Sequence, residues 1–257
     1  MQLRSILYSM LQQNSIRILP DNVANKIAAG EVVERPASIL KELVENAVDA
    51  GATVIDIEVS AGGRKLVSIA DNGKGMNRDN ALLCVERHAT SKISDVHDIE
   101  NISTLGFRGE ALPAIASVSR FRMLTNDDEN TPGTELTMSG GKLQDVRETG
   151  APVGTRIEVR NLFFNVPARR KFLRTYQTEF SHLKTAFIIQ ALANPSVALS
   201  LKADNRLIYK LAPGNLSERL LDLFGKDYFA DLRAVENERP DGKVTGFVSI
   251  PTSNRPD

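Results

Sequence analysis

Glu42, Asn46 and Asp49 carry the chemistry of a hydrolytic site on one predicted helix. At about 100° per residue the three project within roughly 60° of one another. Asn and Asp oxygens ligate hard divalent cations, and a Glu carboxylate takes a proton from water. A solvated polar face without chemistry is the other reading of such a stripe. A second group is Asp71-Asn72-Gly73-Lys74-Gly75. Its glycines let backbone approach a flat ligand while Asp71 accepts an exocyclic amine; taken alone, Asn72-Gly73 also reads as a hairpin turn. A third is Gly106-Phe107-Arg108-Gly109-Glu110-Ala111-Leu112, which leads a helix through Ala114, Ile115 and Val118. Free N–H groups at a helix start, with Arg108 beside them, make an anion site. Arg87 to Lys92 add the Thr90 and Ser91 hydroxyls and the Lys92 cation, and Pro167 to Arg174 form a basic cluster. That cluster is either a contact for nucleic-acid backbone or a solvated helix start.

The elements that must hold these groups follow from periodicity. Ile39, Leu40, Leu43, Val44, Ala47 and Val48 form one apolar half of a helix over 38–51, with Ser38 as N-cap and Gly51 just past its end. Val54 to Ser60 alternates strictly, turns at 61–64 and returns over 65–70 as a hairpin, whose parity carries Asp71 inward. A helix is predicted over 79–89, strands around 121–125, 134–138 and 155–160, and one long helix from the basic cluster to about Ala193. A hairpin over 197–202 and 206–211 follows, then a linker at 213–215, a helix over 217–224 and two strands.

Composition narrows the function. Lys+Arg 32 balances Asp+Glu 32 over 257 residues, so any nucleic-acid contact is a local patch and not a bulk field. One cysteine excludes an intrachain disulfide framework. Cys84 and His88 have a zinc-compatible spacing without a second pair, which favours a buried cysteine. No Walker A or G-x-G-x-x-G pattern occurs, and no apolar run is long enough for a membrane span.

Together, Asn25 to Pro36, the 38–51 helix, Asp71 to Gly75, Arg87 to Lys92, Gly106 to Leu112 and Pro167 to Leu173 resemble the ATPase region of the MutL family of DNA mismatch repair proteins. The match runs in order from about Ile16 to Ile250. More broadly, E-x-x-x-N, D-x-G-x-G, a glycine-bearing lid and Gly154-Thr155 resemble the GHKL ATPases. The resemblance implies an α/β fold: a two-layer sandwich of a mixed β-sheet and helices over 16–212, preceded by an arm at 1–15. It implies that 213–257 opens a second, ribosomal-S5-like α/β domain. ATP and Mg2+ are the implied cofactors. Glu42 is then the general base and Asn46 the metal ligand, while Asp49 supports the site. Asp71 accepts the adenine amine; Gly73, Gly75 and Met76 shape the base pocket, and Thr155 closes it. Thr90, Ser91 and Lys92 join the nucleotide site, and Gly106, Phe107, Arg108, Gly109, Glu110, Ala111 and Leu112 form a lid over the phosphates. Arg169, Arg170, Lys171 and Arg174 become contacts for DNA backbone.

Implied partners are DNA, a mismatch-recognition factor and a second copy in an ATP-dependent homodimer, with no membrane and a bacterial-type cytoplasmic setting. A nuclear or organellar relative is the other setting. The expected function is a slow ATPase that acts as a dimerisation switch in repair, without the endonuclease domain. The competing expectation is a nucleotide-binding fragment with little turnover, because the lysine that relatives supply from later in the second domain has no counterpart assigned here. A sensor kinase would need a phosphoacceptor histidine helix upstream, and a gyrase relative would lack the Pro167 to Leu173 run.

Overall fold

Pro36 decides where the first helix of the described residues begins. In this computed structural model, which describes residues 32–87, 89–90, 105, 109–239 and 242–251, α1 spans Pro36–Asp49 and follows an extended Arg35. Proline fits the first turn because its missing N–H has no helical partner there. The predicted cap at Ser38 is therefore corrected: Ser38 lies inside the helix and donates its N–H to the Arg35 carbonyl at 3.0 Å. The end is as expected, with Ala50 as cap and Gly51 in the left-handed region at φ 77°.

The alternating segments form β1 (Val54–Ser60) and β2 (Leu66–Asp71), an antiparallel hairpin. Next come α2 (Arg78–Leu83), α3 (Ala111–Ser117), β3 (Arg120–Asn126), β4 (Gly133–Ser139), β5 (Lys142–Thr149) and β6 (Gly154–Arg160). The chain continues through α4 (Pro167–Phe172), α5 (Tyr176–Ala193), β7 (Ala198–Ala203), β8 (Arg206–Leu211), α6 (Leu216–Phe224), α7 (Lys226–Ala230), β9 (Leu232–Arg239) and β10 (Gly242–Ser249). One eight-stranded sheet has the order β5-β4-β3-β6-β2-β1-β7-β8, and β9 pairs with β10 in a separate hairpin. The β1–β7 pair is parallel and the sheet's other pairings among the described residues are antiparallel, so the sheet is mixed.

Helices cover one face of the sheet. Ile55, Ile57, Val59, Val67, Ile69, Phe121, Met123, Leu136, Val159, Leu199 and Leu201 point into a core that Ile39, Leu40, Leu43 and Val44 of α1 and Leu183 and Phe187 of α5 complete. The opposite face is charged and self-paired. Arg122 binds Glu135 at 2.8 Å and Glu158 at 3.3 Å, and Arg147 binds Glu135 at 3.0 Å. The hydrogen bond from Arg122 holds the Glu135 carboxyl below the usual carboxylate range, against the opposing effect of burial.

Several further elements and boundaries differ from the sequence reading, among them the short helix Lys226–Ala230, which it did not include. The helix predicted over 79–89 stops at Leu83, and the Glu86 N–H folds back to the Leu83 carbonyl at 2.9 Å; buried Val85 reaches the core from that turn. The helix predicted from Pro167 to Ala193 is two helices. Leu173 is extended, and the Thr175 side chain accepts the Thr178 N–H to start α5 afresh. Strand β5 carried no apolar alternation because it is the exposed, charged edge of the sheet. Helix α6 starts at Leu216, since Asn215 and Glu218 form a reciprocal capping box. Among the described residues no helix is long and apolar enough to cross a membrane.

Candidate functional site

The polar stripe of α1 faces the ends of β2 and β6 across a cleft of about 670 Å³. Glu42, Asn46 and Asp49 line it from α1, with Asp71, Gly75, Met76 and Thr155 opposite. Gly109, Glu110, Ala111 and Leu112 line it at the start of α3, and Thr90 lines it as well. Gly73 lies behind the wall, buried, and donates its N–H to Asp71 Oδ1 at 2.9 Å. Ser91, Lys92, Gly106, Phe107 and Arg108 lie outside the described residues, as do the 1–15 arm and His88.

Asp71 ends β2 directly opposite Thr155 of β6. Burial pushes its carboxyl above the ordinary aspartate value, while N–H groups of Gly73 and Thr155 pull the other way. The carboxylate is thus half-desolvated and already oriented. Asn72 does not make a hairpin turn. Its Oδ1 accepts the N–H groups of Thr53 and Val54 at 2.9 and 2.8 Å, and its Nδ2 donates to Thr53 Oγ1 at 2.8 Å. These bonds fix the loop to the start of β1. Gly75 has φ 62°, and a Cβ there would stand 1.7 Å from the Asn126 carbonyl oxygen. Only glycine fits that approach.

Two residues absent from the sequence reading support this wall. The buried Thr125 Oγ1 accepts the Met76 N–H at 3.0 Å, and it lies 3.1 Å from the Gly154 carbonyl and 2.9 Å from Thr155 Oγ1. Asn126, also buried, donates to the carbonyls of Thr131 and Ala151 at 3.2 and 2.9 Å. Both sit at the end of β3, where their side chains read as ordinary strand residues; a polar pair at a buried strand end was the available signal. On α1, Asp49 Oδ1 accepts the Leu105 N–H at 3.0 Å. Among the described residues no cluster of three or more His, Cys, Asp or Glu is arranged for a metal. Cys84 packs at the cleft with its thiol pushed up to about 12 by burial.

The basic cluster divides. Arg169 turns inward, donating to the Val33 carbonyl at 3.3 Å with its guanidinium 5.9 Å from the centre of the Phe163 ring. Arg170, Lys171 and Arg174 are exposed. The Arg174 backbone N–H is held by Glu179 Oε1 at 2.8 Å, so the cluster sits on a fixed support.

Residues 34–151 match the family described as histidine kinase-, DNA gyrase B- and HSP90-like ATPases. The chain is 50% identical over 240 residues to the DNA mismatch repair protein MutL of Trichlorobacter lovleyi, covering 93% of this chain and 40% of that protein. It is 52% identical over 241 residues to that of Opitutus terrae, covering 93% and 38%. It thus spans about 40% of the length of these curated relatives. Among solved structures it is similar to the Aquifex aeolicus MutL ATPase domain complexed with ADP, with TM-score 0.67, 31% identity and coverage of 87% of this chain and 80% of that one.

Thr125→Val would leave the Met76 N–H without its buried acceptor. A lost partner of this kind costs about 1–3 kcal/mol. Chemical denaturation of the variant is expected to show a loss in that range, and unchanged stability would remove Thr125 from the wall's support.

Proposed function

The chain belongs to the MutL family of DNA mismatch repair proteins, and on that premise we propose that its cleft binds ATP and hydrolyses it with magnesium. What carries the reading is that Glu42 and Asn46 of α1 line one cleft with Asp71 and Thr155 of the sheet. The adenine amine donates to Asp71, whose carboxylate is held in place by the Gly73 N–H. Gly75 and Met76 flank the base, and Thr155 closes the pocket. Gly109 to Leu112, with Thr90, lie toward the phosphates. Glu42 accepts the proton of the attacking water, and Asp49 holds the Leu105 N–H. Asn46 offers one hard oxygen to the metal. A single protein ligand fits magnesium, which takes its remaining oxygens from phosphates and water. When bound, the ion neutralises charge on the phosphate oxygens.

The division we propose is an arm at 1–15, the ATPase domain at 16–212 and the start of a second α/β domain from 213. ATP binding would favour a homodimer that works with a mismatch-recognition factor on DNA in the cytoplasm. Arg170, Lys171 and Arg174 would contact phosphates without reading bases, with Arg169 fixing their support.

Glu42→Ala is expected to keep nucleotide affinity and lose on the order of 10²–10⁴ in hydrolysis rate, the usual contribution of a general base. Turnover at the parent's rate would overturn the assignment. Asp71→Asn should weaken ATP binding instead, because the amide's NH₂ meets the adenine amine donor to donor; equal affinities by calorimetry would count against it. Replacing Arg170, Lys171 and Arg174 with Gln should flatten the slope of log DNA affinity against log salt by up to about 0.9 per lost contact. An unchanged slope would assign the cluster to a solvated surface.

A further inference from the structure

The polar face of α1 holds a chain of contacts that ends on Glu42. Buried Gln190 of α5 has its amide oriented from both sides: Asn194 Nδ2 lies 3.4 Å from its Oε1, and its own Nε2 donates to Glu45 Oε1 at 3.0 Å. The other oxygen of Glu45, Oε2, accepts from Lys41 Nζ at 2.9 Å. The same ammonium lies 3.4 Å from Glu42 Oε1. Burial disfavours the charge on Lys41, yet its hydrogen bond to Glu45 and the charges of Glu42 and Glu45 outweigh it and hold the amine above its ordinary value.

The Lys41 side chain is 53% exposed, whereas that of Glu45 is 14% exposed. An ion pair this open to water adds little stability, so its consequence is geometric. A solvated lysine would sample many rotamers; this one is tethered to a partly buried carboxylate that a second helix holds.

We propose that Lys41 is a positioning residue for ATP hydrolysis, set by Glu45 and Gln190, which fixes Glu42 by one oxygen and leaves Oε2 for the water. This rests on the reading of Glu42 as proton acceptor. In the step concerned, the water oxygen bonds to the γ-phosphorus and the bond from that phosphorus to the bridging oxygen breaks. Its electron pair leaves with ADP, and the water's proton passes to Glu42 Oε2. A carboxylate released from Lys41 still takes the proton but meets the water less often in line.

The test is single-turnover cleavage of labelled ATP with protein in excess, comparing the parent with Lys41→Met, Lys41→Arg, Glu45→Gln and Glu42→Ala. Lys41→Met and Glu45→Gln are each expected to slow cleavage about tenfold, the order of effect that a small misplacement produces. The half-saturating ATP concentration should stay within about twofold of the parent's, and Lys41→Arg should recover most of the rate. A parent-like rate in Lys41→Met and Glu45→Gln, or a loss of affinity as large as the loss of rate, overturns the positioning role. Failure of Lys41→Arg to recover activity does so too, since a tethered cation is what the proposal requires. If Glu42→Ala itself cleaves at the parent's rate, the premise falls; if Glu42→Ala is slow while Lys41→Met is not, the proposal falls alone.

Discussion

A helix laid on a sheet has one face to bury and one to spare, and the arrangement of this protein depends on how α1 divides the two. Its apolar half, Ile39, Leu40, Leu43 and Val44, is removed from water against the sheet and α5. Full burial of such side chains is worth about 1.5–3 kcal/mol each. That packing fixes the rotation of the helix, and the rotation places Glu42, Asn46 and Asp49 on the cleft. A slip of one residue would turn the stripe by about 100° and carry it out of register with Asp71. Core packing therefore sets the aim of the polar groups.

The opposite wall works by backbone. Gly73, Gly75 and Gly154 are held so closely that added Cβ atoms would collide: at Gly154 one would stand 2.2 Å from the Asp71 carbonyl oxygen. Thr125 and Asn126 satisfy the polar groups that this close approach takes from water. A wall of fixed main chain offers a ligand an acceptor whose direction is already decided, which lowers the ordering cost of binding.

Much of this was legible along the chain. The strict alternation of Val54 to Ser60 and the helical spacing of Ile39 to Val48 announce their elements because one face of each meets water. Asp71 to Gly75 pairs two glycines with an inward acid, and only its company with the other motifs separates it from an ordinary hairpin turn. What stayed hidden needed tertiary proximity. Gln190 and Glu45 lie 145 residues apart, and nothing local marks either as the other's partner. Arg169 belongs to a uniform basic run until Val33 and Phe163 are seen beside it. Strand β5 is polar along most of its length, so hydropathy had no period to report. The two helices read as one because the apolar spacing continues across Leu173 while the Thr175 cap interrupts only the backbone.

The parallel pairing of β1 with β7 imposes a schedule on synthesis. Asp56 and its neighbour Ser200 are 144 residues apart. At the usual 5–20 residues per second, the second edge of β1 waits roughly 7–30 s for its partner to be made. An open strand in the middle of a nascent sheet is a template for wrong pairing. Asp56 and Glu58 place two negative charges along that waiting strand, which discourages another apolar strand from adding to it. When β7 arrives, Ser200 bonds Asp56 and Lys202 lies 3.8 Å from Glu58, so the same acids recognise the correct neighbour. Strand β1 thus carries its own gatekeepers, and they become cross-strand partners once the sheet closes.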